Sequence, residues 1–159
     1  MDGKSAVPMT APETTARLQE LADRAEITDL LTRQGLWLDE RRFDETASVF
    51  TEDATVETLG GRAEGIEALT EQARRNHTAY DRTQHITTNA AIDLDGDRAV
   101  VRANLIAAFV RNDGTAVPEP ALLLGERYRF DAVRTPQGWR FSRVRVTPVW
   151  RWGSLPQHG

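Results

Sequence analysis

Cysteine is absent from the 159 residues, which excludes disulfides, thiolate metal sites and a cysteine nucleophile. Lysine is almost missing: Lys4 stands alone, and arginine supplies the rest of the 20 basic residues against 24 acidic ones. The net charge of −4 repels a phosphate backbone, so no nucleic acid partner is expected. No run approaches the roughly 18 apolar residues of a membrane span, and no membrane partner is expected either. Met1 to Thr15 lacks the continuous apolar stretch of a secretory signal and reads as the loose tail of a cytoplasmic protein. HExxH, His-x-His, clustered acidic loops and glycine-rich phosphate loops are also missing, so neither a metal nor a cofactor is expected.

What is present fits one globular domain, with 40% hydrophobic and 28% charged residues. The expected layout is a tail over 1–15, a domain over 16–152 and a tail over 153–159. From Ala16 to Leu38, Leu18, Leu21, Ala22, Ala25, Ile27, Leu30, Leu31 and Leu38 recur at three- and four-residue steps and predict an amphipathic helix. Gln34 falls inside that stripe, so its amide must find a buried partner or line a wet cavity. Phe43, Ala47 and Phe50 predict a second short helix, Thr55–Leu59 a strand, Gly60-Gly61 a turn, and Gly65–His77 a third helix.

The pattern then becomes extended. Gln84–Leu94 and Arg98–Arg111 flank an Asp95-Gly96-Asp97 hairpin, and Leu122–Arg134 and Trp139–Trp150 flank a turn at Thr135–Gly138. Helices first and a long antiparallel meander second predict an α+β fold, a curved antiparallel sheet packed with helices from the N-terminal half. A bent sheet closed by helices encloses a concave, mostly apolar space of the kind that holds small organic molecules.

Three strings resemble the SnoaL-like branch of the nuclear transport factor 2-like superfamily, over about residues 16 to 150. They are Arg24-Ala-Glu-Ile-Thr-Asp-Leu-Leu31; Leu38-Asp39 through Phe43-Asp44 to Val49-Phe50-Thr-Glu-Asp53-Ala54; and His85-Ile-Thr-Thr-Asn89 with the Asp95-Gly-Asp97 turn and Gly138-Trp139-Arg140. The resemblance implies a cone-shaped fold, no cofactor, and a homodimer or homotrimer. Members similar to this chain include scytalone-type dehydratases, bile acid dehydratase-like proteins, a dehydrochlorinase and polyketide cyclases. In the dehydratases and the dehydrochlorinase an aspartate ending the first helix pairs with a histidine on a central strand, which implies Asp39 and His85 here. The tyrosine that dehydratases often place before that aspartate is replaced by Gln34. The basic group that helps bind the leaving group in the dehydrochlorinase is matched most nearly by Arg134.

The pair that the resemblance implies has the chemistry for proton abstraction. Proton abstraction beside a carbonyl or opposite a leaving group needs a base that titrates near neutrality, and histidine starts at about 6.5. A carboxylate on the other ring nitrogen fixes the tautomer and stabilises the imidazolium. Of the three histidines, His158 lies in the tail and His77 at the end of a surface helix, leaving His85 on a core strand. A core histidine bonded to a neighbouring strand is the competing reading. Asn89 shares the His85 face at strand spacing, either to orient substrate or to close a backbone bond. Trp37, Tyr128 and Trp150 are aromatic candidates for a wall around a ring, with Trp150 either covering the cavity mouth or docking on a partner subunit.

The expected function is a cofactor-independent lyase or isomerase acting on a small hydrophobic or cyclic molecule. The alternatives are a polyketide cyclase-like enzyme using the same cavity, and a binding module without chemistry.

Overall fold

A computed structural model describes residues 8–154. The His158 tail assignment, residues 1–7 of the first expected tail and residues 155–159 of the second lie outside the described residues. Helix α1 spans Ala11–Asp39. It begins five residues before the periodic stripe because Thr10 and Glu13 form a capping box: the Glu13 carboxylate accepts the Thr10 N–H at 2.7 Å and the Thr10 hydroxyl accepts the Glu13 N–H at 3.4 Å. The loose tail expected up to Thr15 therefore gives way to ordered helix from Ala11. Burial along α1 starts only at Asp23, and Leu18 and Leu21 are exposed.

A 3-10 turn at Phe43–Glu45 leads into α2, Thr46–Val49, and then β1, Phe50–Thr58. The short strand β2, Gly61–Glu64, was not anticipated, since four residues are too few to show a period. It pairs back on β1, and α3 follows at Ile66–Thr78. Four long strands complete the chain: β3 (Arg82–Asp95), β4 (Arg98–Val110), β5 (Pro120–Thr135) and β6 (Gly138–Gly153).

The sheet order is β2-β1-β6-β5-β4-β3. All pairings are antiparallel except β1 with β6, which run parallel, so the expected antiparallel meander is joined to a first hairpin from the helical half. Alternation sends Leu122, Leu124, Glu126, Tyr128, Phe130 and Ala132 of β5 to the inner face, opposite Ile27, Leu30, Leu31 and Leu38 of α1. At one end of the cone Trp139, Phe130, Phe141, Ile27 and Leu30 fill the space almost completely, with Phe130 and Phe141 stacked at 4.3 Å. The other end is hollow. No described helix is long and apolar enough to cross a membrane.

Candidate active site

Asp39 closes α1 and meets β3, the outermost strand on its side of the sheet. An edge strand carries N–H groups that no neighbouring strand takes up. His85 gives its own to Asp39, with the backbone N–H donating to Oδ2 at 2.8 Å and ring Nδ1 to Oδ1 at 2.6 Å. The Thr83 hydroxyl donates to Oδ1 at 3.0 Å. Burial pushes the Asp39 pKa up, but the His85 ring, the His85 backbone and Thr83 outweigh it and hold the carboxyl below its ordinary range. An ionised carboxylate only accepts, so Nδ1 carries a proton, and in the neutral ring Nε2 is the nitrogen with the lone pair.

The His85 side chain, 4% exposed, belongs to the wall of a cavity of about 530 Å³. That size suits a small organic ligand, for which pockets span roughly 300–1,000 Å³. Its apolar walls include Trp37, Leu38, Leu69, Leu105, Phe109, Leu122 and Leu124, and it reaches the surface by the exposed Leu59 and Gly60 of the β1–β2 turn.

Three of the anticipated substrate-binding residues line this cavity. Gln34 Nε2 donates to the Tyr128 hydroxyl at 3.4 Å, leaving the Tyr128 proton free to donate inward and Gln34 Oε1 buried without a partner among the described residues. Trp37 serves as wall: its Nε1 donates to Thr46 Oγ1 at 3.0 Å and its ring packs edge-on against Phe43 and Phe50.

Three others lie elsewhere. Asn89 sits at an irregularity between Thr88 and Ala91, with φ 56°, and is exposed; the bulge breaks the alternation that aligned it with His85. Arg134 is held at the packed end, its guanidinium bidentate on Asp23 at 2.7 Å, with Nε on Asp97 at 2.7 Å and the group stacked over Trp139 at 4.8 Å. Trp150 lies on the convex face over Gly125, where its ring occupies the space a Cβ would need.

Among the polar residues of the cavity that were not picked out from the sequence, two are titratable and buried, His77 and Glu126. His77 was expected on a surface helix, but α3 turns Leu69, Gln72, Ala73 and His77 inward, and that i, i+3, i+4, i+8 spacing was the available signal. Its Nδ1–H donates to the Ala73 carbonyl at 2.7 Å, and Nε2 is buried without a partner among the described residues. Burial, with His85 nearby, pushes its pKa down to about 4, so the ring is neutral and Nε2 is an acceptor. Its ring centroid is 5.3 Å from that of His85. Glu126 is the second: strict alternation along β5 places a carboxyl among leucines, and burial pushes its pKa up. Among the described residues no cluster of three His, Cys, Asp or Glu is placed to hold a metal ion.

The SnoaL-like domain model matches residues 19–145. An uncharacterized protein of Mycobacterium tuberculosis is 35% identical over 129 residues, covering 78% of this chain and 84% of its own. Among solved structures, a Kribbella flavida protein has a TM-score of 0.76 at 26% identity, over 84% of this chain and 95% of that one. The hexachlorocyclohexane dehydrochlorinase LinA has a TM-score of 0.76 at 23% identity, over 90% and 96% of the two chains. A Novosphingobium aromaticivorans structure named for scytalone dehydratase has a TM-score of 0.74 at 22% identity, over 91% and 93%. The last two likenesses are of fold alone. With its three-helix cone, its six-stranded sheet and this match across most of its length, the chain belongs to the SnoaL-like family of the nuclear transport factor 2-like fold.

Proposed function

We propose that the protein is a cofactor-independent small-molecule lyase or isomerase in which His85, held by Asp39, removes a proton from a substrate carbon. The observation that carries this reading is the 2.6 Å contact between His85 Nδ1 and an ionised Asp39, with the ring in the wall of a mostly apolar cavity. Asp39 fixes the tautomer, leaves Nε2 as the base and stabilises the imidazolium that forms. Desolvation inside the cone strengthens each of these interactions. Fold relatives named as a dehydrochlorinase and for scytalone dehydratase are consistent with elimination as the reaction class. The test is turnover of a panel of cyclic hydroxy ketones and halides by wild type, His85→Ala and Asp39→Asn. Full activity in both folded variants on a substrate the wild type converts would remove the dyad from the mechanism.

Self-association is a second proposal with its own observation. Ile86 pairs with Ile106, Ile106 with Gly125, and Gly125 with Trp150, so an apolar row crosses four strands on the convex face, beside exposed Trp152. Such a row is the kind of surface that marks an interface. A homodimer or homotrimer is expected in light scattering, and Trp150→Glu is expected to shift it toward monomer. A monomeric wild type at high concentration would contradict it.

A further inference from the structure

Glu126 is 8% exposed and lines the cavity, and its side chain makes no hydrogen bond or ion pair with any described residue. Burial costs the charged form its solvation and pushes the Glu126 pKa up, although the nearby His85 ring works against the shift, so the site favours the form that carries a proton. Its register relates it to the dyad. His85 pairs with Ala107 and Ala107 with Leu124, and Glu126 is two residues further along β5 on the same inner face. With strands about 4.8 Å apart and a rise of about 3.3 Å per residue, the Cα atoms of His85 and Glu126 lie about 12 Å apart. Side chains reaching inward from those positions leave room for a small molecule between them. Beside Glu126 the pairing of β5 with β6 shifts, so that Gly125 faces Trp150 while Glu126 faces Pro148. The extra residue, Val149, is in β6, while β5 keeps its register with β4, so Glu126 holds its inward position beside the irregularity.

We infer that Glu126 is the acid that works opposite His85, protonating an oxygen leaving group as it departs, so that the substrate is a small molecule with a hydroxyl β to an acidified C–H. The inference rests on the proton-abstraction reading of His85. In the step, His85 Nε2 takes the proton from carbon, the C–H electron pair becomes the new C=C bond, and the C–O bond breaks. The departing hydroxyl takes the Glu126 proton and leaves as water. His85 ends protonated and Glu126 ionised, and a proton passed from one to the other through water restores both. Nothing else is consumed. A halide leaves as a stable anion and does not need this proton, whereas hydroxide does. Other titratable or charged groups at the cavity are His77 and Arg75 from α3, Tyr80 before β3, and Tyr128 on β5, with Asp39 behind His85. His77 is neutral and hydrogen-bonded as a donor to backbone, so it offers an acceptor and not a proton.

Glu126→Gln keeps shape and removes the acidic proton. The experiment compares wild type, Glu126→Gln and His85→Ala on two matched β-substituted cyclic ketones, one losing hydroxide and one losing chloride, with melting temperatures taken alongside. Glu126→Gln is expected to lower kcat/KM for loss of hydroxide by about a hundredfold and for loss of chloride by less than about threefold. It is also expected to abolish the alkaline fall in the pH profile of the hydroxy substrate. Equal losses on both substrates, or none on either, would overturn the role of Glu126 while leaving His85 intact. Unimpaired turnover by His85→Ala would instead sink the reading beneath it. Infrared difference spectra of wild type against Glu126→Gln decide the matter independently of turnover. A protonated carboxyl signal persisting above the ordinary carboxylate range is expected, and its absence would overturn the inference.

Discussion

The two ends of the cone treat buried polar groups in opposite ways. At the packed end Asp23 is 5% exposed and fully engaged: both oxygens take the Arg134 guanidinium, and one also accepts from Trp139 Nε1 at 3.2 Å and Gln19 at 3.1 Å. These donors, Arg134 first, hold its pKa below the usual range. At the hollow end Gln34 Oε1, His77 Nε2 and the Tyr80 hydroxyl are buried and unpaired, and Glu126 has no partner among the described residues. An unpaired buried polar group costs about 1–3 kcal/mol, so a fold that keeps several together gives up stability where a ligand would supply the missing bonds. The satisfied aspartate is therefore structural, and the unsatisfied cluster is where the polar groups of a ligand would find partners.

Breaking each end separately should produce different losses. The largest effect expected is on activity: His85→Ala should lower kcat/KM by about a thousandfold while the melting temperature moves little, because the ring occupies the cavity wall and not the packed core. The next is on stability: Asp23→Ala leaves the Trp139 N–H without its acceptor and Arg134 with Asp97 alone, and should cost about 2 kcal/mol in denaturant unfolding. The folded fraction of that variant should keep its turnover, since neither Asp23 nor Arg134 lines the cavity.

Acid should expose a third difference. His77 titrates at about 4 in the folded protein, against the ordinary 6.5 once unfolded. Between those values the unfolded chain binds a proton that the folded one refuses, so stability falls by up to about 1.4 kcal/mol per pH unit on acidification. His77→Phe should flatten the melting curve across that window. It should leave intact the steeper loss below about pH 4, where Asp23 and Asp39, both depressed in the fold, take up protons. The smallest effect expected is from Gln34→Leu, which removes an unsatisfied amide oxygen and should raise stability by roughly 1 kcal/mol at the expense of substrate affinity. Calorimetry and steady-state kinetics on one preparation check both halves.

The same contrast shows which parts of the molecule were legible in sequence. The long helix, the Asp95-Gly96-Asp97 hairpin and the late strands announce themselves by period and turn chemistry, whereas Asp39 and His85 were singled out as a pair through the family resemblance. Strand alternation failed at Asn89 because a bulge cannot be read from a single segment. Arg134 and Asp23 are 111 residues apart, so no local pattern links them. His77 and Glu126 were hidden for a different reason: each sits at a properly inward position of its own period, but a polar residue there conflicts with the apolar rule that defines the face. That conflict is itself the sign of a lined cavity, as it was for Gln34.

The most direct test of the account is exchange of a substrate α-proton with solvent. Wild type and His85→Ala would each be incubated with a cyclic ketone in D2O and followed by NMR. Deuterium entering the α-carbon with wild type and falling to the uncatalysed rate with His85→Ala is the predicted result. Equal exchange by both proteins would contradict His85 as the base.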